Sequence, residues 1–508
     1  MSQRTIARAL ISVYYKDNLE PIIHSLAKNG VEFVSTGGTQ EFIEKLGYEV
    51  TPVEKLTGYP SIFGGRVKTL HPAVFGGILY RREDKSDVAQ AAEFQIGPLD
   101  LVIVDLYPFE ETVAKGGSDE DIIEKIDIGG ISLIRGAAKN FNDVLIVSSR
   151  AQYSELLQLL QAKSCVTDLS DSKRFAAAAF DVTSHYDSAI FNYFNVAEQF
   201  PRLKKSIQQG RTLRYGENPH QQGTFFGDLD ALFEQLNGKE LSYNNLVDVD
   251  AAVNLVAEFE GEKAFIIIKH TNACGVATSS TLKEAYLKAF QADTISAFGG
   301  VLATNQRIDL AAAEEINKLF FEILVAPSFD DDALLLLRSK KNRMILRQKQ
   351  AIQEKKQIKS ILNGVIEQDL DLKTDAEKDL RVVTRLAPTP EQIKALLFAS
   401  KICKHTKSNT IILAVNGQLL ASGVGQTSRV DALKQAIEKA KAFGFSLEDS
   451  VMASDAFFPF PDCVEIASQQ GIKSVIQPGG SVKDQDSINF CDAHDMSMVF
   501  TGVRHFKH

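Results

Sequence analysis

Short apolar runs rich in β-branched residues alternate with helical patterns through roughly the first third of the chain. No other feature limits the fold more tightly, because adjacent parallel strands need a crossover that is usually a helix. Arg8 to Tyr14 reads as a strand, and Asp17 to Asn29 as an amphipathic helix stopped by Gly30. Val31 to Val34 is the next strand, broken by Gly37-Gly38, and Thr39 to Leu46 is a helix that ends at Gly47. Leu99 to Val104 and Val144 to Val147 are further buried strands. The alternation predicts an α/β domain built on a doubly wound parallel sheet. Phe175 to Phe200 is a long, alanine-rich helical stretch, and Pro201 with Lys204-Lys205 marks a break. The expected domains are therefore 1–199 and 200–508.

Beyond the break the pattern repeats. A strand at 264–268 leads through a polar turn and Gly275 to a helix at 281–292 and the segment Ser296 to Thr304. A strand at 411–415 leads through Gly417, Gly423 and Gly425 to a helix at 429–443 and the segment Val451 to Phe460. Two such units predict two related α/β lobes with a site between them. The charged stretch 363–390, with Pro388 and Pro390, reads as their connection. Lys340 to Lys359 is strongly basic and reads as the solvated face of a helix, with Ile345, Leu346, Ile352 and Ile358 turned inward.

Charge and cysteine usage exclude several classes. A net charge of −9 argues against general nucleic-acid binding, though a locally basic pocket for an anion remains open. Cys165, Cys274, Cys403, Cys463 and Cys491 are scattered and lack Cys-x-x-Cys spacing, which points to reduced thiols in a cytoplasmic protein. No apolar stretch approaches the ~20 residues of a membrane span. Arg4 and Arg8 are not followed by the apolar core of a signal peptide.

Two groups of motifs carry chemistry. In the first domain, Ser35-Thr36-Gly37-Gly38-Thr39 follows a strand and opens a helix, a cradle suited to phosphate. Gly64-Gly65-Arg66-Val67-Lys68-Thr69-Leu70-His71-Pro72 gathers two cations, a hydroxyl and an imidazole. Asp105-Leu106-Tyr107 follows a buried strand, and Lys125 to Gly130 and Arg135 to Asn140 complete the set. Lys68, Tyr107, Asp127 and Lys139 are candidates for a charged cluster around one ligand, although Lys139 also reads as a surface residue. In the second domain, the buried strand Ala264 to Ile268 runs into Lys269-His270-Thr271-Asn272, a cation beside a base. A surface pair capping a strand has the same sequence, so geometry decides. Leu213 to Gln221, Ser408-Asn409-Thr410 and Gln426 to Arg429 add polar groups. Ser454 to Phe460 sets a carboxylate beside three phenylalanines.

Ser35 to Thr39, Gly65 to Pro72, Asn218-Pro219-His220-Gln221, Lys269-His270 and Ser454 to Phe460 occur in one order over nearly the whole chain. In this the chain resembles the bifunctional purine-biosynthesis family that joins AICAR transformylase to IMP cyclohydrolase. The resemblance implies a methylglyoxal-synthase-like cyclohydrolase domain, two cytidine-deaminase-like transformylase lobes, and a homodimer with shared transformylase sites. The implied reactions are transfer of the formyl group of 10-formyltetrahydrofolate, a co-substrate, to the 5-amino group of AICAR, then closure of formyl-AICAR to IMP with loss of water. The cyclohydrolase site would use Lys68, Tyr107, Asp127 and Lys139, with Ser35, Gly37, Gly38, Thr39, Arg66 and Thr69 at the nucleotide. The transformylase site would use Lys269, His270 and Asn409, with Arg214, Tyr215, Arg429, Asp455, Phe457, Asp462 and Arg504 binding AICAR or folate.

In chemical terms His270 would be the general base, Lys269 and Asn409 would steady the oxyanion, and Phe457 with Phe458 would face the pterin. Asp127, held by Lys139, would accept a proton in ring closure while Lys68 polarises the formyl oxygen. No metal is expected, since the His-x-Glu and Pro-Cys-x-x-Cys ligands of zinc deaminases are missing. The chain has Ala273 where many bacterial members have proline, and the family's acidic folate contact falls on Glu322. The C-terminal segment Thr501 to His508, dense in cations, follows a strand at Met496 to Phe500 and is expected to be ordered at the transformylase site. Two other classes remain: a regulatory nucleotide-binding module, and a zinc-independent deaminase relative that would release ammonia and need no formyl donor.

Overall fold

The computed structural model describes residues 3–197 and 200–508. The chain divides into two compact units, Met1–Gln208 and Gln209–His508. The boundary expected between 199 and 200 falls partly on Gln199, outside the described residues.

The first unit is built on a five-stranded sheet. Arg8–Ser12 lies at its centre, Glu32–Ser35 and Val50–Pro52 lie to one side, and Leu101–Val104 and Leu145–Val147 to the other. All four pairings are parallel. Ala9, Ile11, Phe33, Leu101 and Ile103 pack under the helices Glu20–Lys28 and Tyr153–Lys163. Their neighbours Leu10, Val34, Val102 and Val104 face the opposite way, under Pro72–Leu79, Gly129–Lys139 and the long helix Leu169–Phe194. Both faces are covered, which is why these strands read as continuous apolar runs. The chain leaves the central strand first to one side and later to the other. Crevices for ligands form at that switch point, outside the carboxyl ends of the strands.

The second unit holds a twelve-stranded sheet made of two copies of one motif. The first copy runs from the helix Tyr243–Ala257 through strands Ala264–Lys269, Asn272–Thr278, Val301–Thr304, Ile323–Ala326 and Met344–Gln348. The second runs from the helix Pro390–Lys404 through Ile411–Val415, Gln418–Gly423, Val451–Ser454, Ser474–Gln477 and Ser497–Phe500. In each, the first strand pairs antiparallel with the second and third, and the third, fourth and fifth are parallel. Each outer strand carries an antiparallel edge strand, Phe233–Asn237 or Arg381–Val382. The copies meet where Ala277 faces Gln418. One core runs beneath the two opening helices across both copies, and separate cores fill the opposite face of each. Gly275 and Gly423 are required by close packing: a Cβ would lie 2.1 Å from the Ala289 carbonyl oxygen in one copy and 1.8 Å from that of Ala432 in the other.

The basic stretch 340–359 is not a helix. It forms the strand Met344–Gln348, with Met344, Ile345 and Leu346 all fully buried, and the start of an exposed hairpin, Lys356–Ile361 with Gly364–Asp369. Three consecutive buried residues fit a strand covered on both faces, and the flanking lysines masked that pattern. The stretch 363–390 holds the second hairpin strand, the short helix Glu377–Asp379 and the edge strand Arg381–Val382.

Candidate functional sites

In the first unit a cleft of about 780 Å³ opens at the carboxyl ends of the strands Arg8–Ser12, Glu32–Ser35 and Leu101–Val104. Gly37, Gly38, Thr39, Arg66, Lys68, Thr69, Tyr107 and Asp127 all line it. The helix Gly37–Lys45 points its N-terminus into the cleft with no side-chain cap. Lys68 arches over Gly65, where a Cβ would lie 2.7 Å from Lys68 Cε, and brings Nζ to 3.7 Å from the place a Cβ on Gly37 would take. Backbone donors, the helix dipole and an ammonium therefore converge on one spot, a receptor for a phosphate group.

Asp127 sits across the cleft. Its Oδ1 accepts a hydrogen bond from Gly130 N at 2.6 Å, and a Cβ on Gly130 would collide with the carboxylate. The Tyr186 hydroxyl accepts from Asp127 N at 2.9 Å and donates to the Lys125 carbonyl at 2.6 Å, which locks this turn. Burial pushes the Asp127 carboxyl up from its ordinary value and outweighs the Gly130 hydrogen bond. Burial also raises the Tyr107 phenol, and nearby Asp127 adds to the effect.

Two expected members are elsewhere. The Ser35 hydroxyl is wholly buried and donates to the Ile11 carbonyl at 2.7 Å, so it ties two strands together. Lys139 is exposed in the last turn of Gly129–Lys139, while Asp127 precedes the first turn. A helix of this length sets them about 15 Å apart, so Lys139 does not hold Asp127. Residues missed in the sequence are Tyr14 and Lys16, which line the cleft just past the central strand. Asp105 fixes this loop by accepting hydrogen bonds from Tyr14 N and Tyr15 N. Lys16 Nζ donates to the carbonyls of Val13 and Tyr14 at 2.7 and 2.9 Å. Ending the first strand at Ser12 rather than Tyr14 would have put this loop at the strand end where ligands bind.

In the second unit His270 and Thr271 form the turn between paired Lys269 and Asn272, both in left-handed conformation with φ of 49° and 64°. Non-glycine residues rarely hold that conformation without support. Here Asn272 Nδ2 donates to the His270 carbonyl at 2.8 Å, and Asp248 Oδ1 accepts from Thr271 N at 2.7 Å. The turn presents the His270 ring to solvent. Lys269 Nζ is anchored on the Phe298 and Gly299 carbonyls at 2.9 and 3.1 Å. Asn272 Oδ1 accepts from Lys407 N at 3.0 Å, so the turn of the first copy is bound to the segment leading to Asn409 in the second. The Asn409 side-chain nitrogen donates to the Gln426 and Thr427 carbonyls at 3.0 and 3.3 Å. Both its donors are committed, so this amide has none left to offer an oxyanion.

Arg429 opens the helix Arg429–Ala442 and donates to Ser454 Oγ at 3.1 Å and to buried Asp455 Oδ1 at 3.0 Å. The other Asp455 oxygen is buried with no partner among the described residues. The C-terminal segment is ordered as expected: Lys507 and Ser408 exchange hydrogen bonds at 2.8 and 3.0 Å, and His505 N donates to the Asp455 carbonyl at 3.1 Å. Arg504 and Arg429 lie 4.3 and 5.8 Å from the centroid of the Phe506 ring. Phe457 is exposed, but Phe458 is wholly buried in the core and cannot face a ligand. Asp462, the first residue of Asp462–Gln469, accepts from Cys463 N at 2.8 Å. Glu322 accepts from Asn245 at 3.0 Å, and Ala273 is buried in its strand. Arg214 donates to the Tyr215 hydroxyl at 2.9 Å and stacks on its ring. Among the described residues, no hydrogen bond or ion pair joins Arg214 or Tyr215 to Lys269, His270 or Arg429. Nor do three or more His, Cys, Asp or Glu side chains of the described residues gather as a metal site.

Comparison with known proteins covers both units. A family model described as AICARFT/IMPCHase bienzyme matches residues 137–439, and one described as MGS-like domain matches 18–132. A bifunctional purine biosynthesis protein PurH from Bacteroides thetaiotaomicron is 60% identical over 505 residues, covering 99% of each chain. Proteins of the same name from Aquifex aeolicus and Chlorobium chlorochromatii are 45% and 46% identical, over 99% and 100% of this chain and 100% of each relative.

Proposed function

The chain belongs to the AICARFT/IMPCHase bienzyme family, and from that premise we propose that its first unit closes formyl-AICAR to IMP and its second formylates AICAR. It is a bifunctional enzyme of purine biosynthesis, a formyltransferase and a cyclohydrolase. The first unit is an MGS-like domain. The observation that carries the division of labour is the cleft in which Lys68, the N-terminus of Gly37–Lys45 and Asp127 converge.

In the second unit, the amine of AICAR attacks the formyl carbon of 10-formyltetrahydrofolate while His270 takes its proton. That amine is a weak nucleophile, conjugated with the imidazole and its carboxamide, so a base is needed as the bond forms. The anchored ammonium of Lys269 stabilises the oxyanion of the tetrahedral intermediate. Collapse expels N10 of tetrahydrofolate, which receives a proton. Arg429 and Arg504 bind the phosphate, buried Asp455 holds Arg429 in place, and Phe457 with Asp462 and Glu322 serve the folate.

In the first unit, the carboxamide nitrogen of formyl-AICAR attacks its own formyl carbon, and the carbinol then loses water. The phosphate sits at Gly37, Gly38 and Thr39 between Lys68 and Lys16, with Arg66 and Thr69 beside it. Asp127 accepts the proton of the attacking nitrogen. Burial moves its pKa toward working pH, as suits an acid–base group. Tyr107 polarises the formyl oxygen, since the Lys68 ammonium is taken up at the phosphate.

We read the two halves of the second unit as cytidine-deaminase-like lobes, a reading supported by their duplication, and no metal enters either reaction. A homodimer with shared transformylase sites would bring Arg214 and Tyr215 of one chain to the Lys269 turn of the other. The five unpaired cysteines support a cytoplasmic location. The deciding experiment supplies AICAR and 10-formyltetrahydrofolate to the purified chain and follows IMP. Release of ammonia without IMP would favour the deaminase reading and sink this one.

A further inference from the structure

The C-terminal segment carries a device that neither reaction explains. His505 is buried, with its side chain 6% exposed, next to the exposed Arg504. Its Nδ1 lies 2.6 Å from Asp371 Oδ2, and its Nε2 lies 3.4 Å from Asp375 Oδ2. Asp375 is itself buried and accepts from Ser400 Oγ of the helix Pro390–Lys404. Nearby, Thr374 donates to Glu258 at the end of Tyr243–Ala257, and Lys404 donates to the same carboxylate at 2.7 Å. The segment 371–375 is thus fastened to both opening helices of the duplicated unit and grips the tail through one imidazole ring.

The position of that grip matters. His505 N donates to the carbonyl of Asp455, whose carboxylate holds Arg429. On either side of His505 in the chain are Arg504 and Phe506, and the Phe506 ring has both guanidiniums within reach of its π system. Arg429 is already paired with Asp455, while Arg504 has no ion pair among the described residues, so the two cations beside one ring leave room for an anion. We propose that His505 is a positioning residue: clamped between Asp371 and Asp375, it holds the tail so that Arg504 and Arg429 converge on Phe506 as one binding site for the phosphate of AICAR. This rests on the reading that the second unit binds AICAR through these arginines.

The charged groups facing the ring are Asp371 and Asp375, with the Ser400 hydroxyl bonded to the second of them. Burial alone would push the ring's pKa down, but the hydrogen bonds to Asp375 and Asp371 outweigh it and hold it above the ordinary histidine value. The clamp is therefore complete at low and neutral pH and loosens as pH rises through that raised value.

The test is steady-state formyl transfer by the full chain, with KM for AICAR followed from about pH 6 to about pH 10. Ring closure of formyl-AICAR, performed by the other unit, controls only for the amount of chain, while the kcat for formyl transfer and urea unfolding report whether the second unit has folded. In His505→Gln and His505→Ala, KM for AICAR should rise about tenfold or more while kcat changes less than about threefold. The rise of the wild-type KM with pH should vanish in both. Asp371→Asn combined with Asp375→Asn leaves the ring in place and should produce the same loss, so a folding failure in one variant does not protect the idea. An unchanged KM, or a fall in kcat alone, overturns it. If Arg504→Ala raises KM and the His505 variants do not, the clamp is wrong and the phosphate site stands. If Arg504→Ala leaves KM unchanged, the site reading fails and the clamp fails with it.

Discussion

His270 stands in a left-handed turn that few side chains adopt, held by Asn272 below and Asp248 behind. Support spent on keeping a histidine exposed is what a general base requires. His270→Ala should lower formyl transfer by about 10²-fold or more and leave ring closure intact, since the other unit is untouched. A variant that keeps more than about a tenth of wild-type transfer would end the assignment. Glu258 offers a second test at this scale. Burial would raise its carboxyl, but hydrogen bonds from His405, Lys404 and Thr374 take it down to about 2. A depressed folded pKa stabilises the protein above the unfolded value, near about 4.3, and that support is lost as pH falls toward 2. Glu258→Gln should therefore be less stable than wild type at neutral pH by urea unfolding, with the gap closing between about pH 4 and the acid limit. A gap that stays constant across that range would show that the carboxylate's charge contributes nothing.

At the scale of elements, the duplicated motif explains both what the sequence made legible and what it hid. Buried strands such as Ala264–Lys269 and Ile411–Val415 are plain because coverage on both faces makes them uniformly apolar. The glycines were legible as turn signals, yet Gly275 and Gly423 lie inside strands, where their reason is a helix backbone pressed against them. Spacing alone does not reveal such contacts. Lys340 to Lys359 misled for a related reason: exposed charges flank a buried strand and imitate a helix face. Phe458 looked like part of an aromatic slot, but alternation along a short segment turned it into the core and left Phe457 outside. Gly423→Ala tests the packing argument. A Cβ overlapping the Ala432 carbonyl forces the strand off the helix Arg429–Ala442, and overpacking of this kind costs about 1–3 kcal/mol or more. The unfolding midpoint in urea should drop accordingly, while Gly364→Ala, in open space in the exposed hairpin, should cost far less. Equal losses from the two would refute it.

Across the molecule, each unit owns its cores: the residues packed on the five-stranded sheet and those packed on the twelve-stranded sheet form separate clusters. The alternation of strands and helices foretold the first sheet because local pattern is enough to specify parallel crossovers. Site membership was harder to read. Lys68 and Asp127 were recognisable from their motifs, whereas Lys16 was overlooked and Lys139 was misplaced by the length of a helix, a distance that depends on where the helix begins. A cleft formed wholly by residues before position 134 makes a sharp prediction at this scale. The fragment 1–208, which keeps the long helix Leu169–Phe194 and its packing against the sheet, should fold cooperatively and convert formyl-AICAR to IMP. It should not consume 10-formyltetrahydrofolate, because His270 and Lys269 are gone. Within that fragment Asp127→Asn should lower ring closure by about 10²-fold without changing the melting temperature greatly, as loss of a general base predicts. A folded fragment with no ring closure would remove the cleft from the reaction, and an active Asp127→Asn would remove the carboxylate from its role.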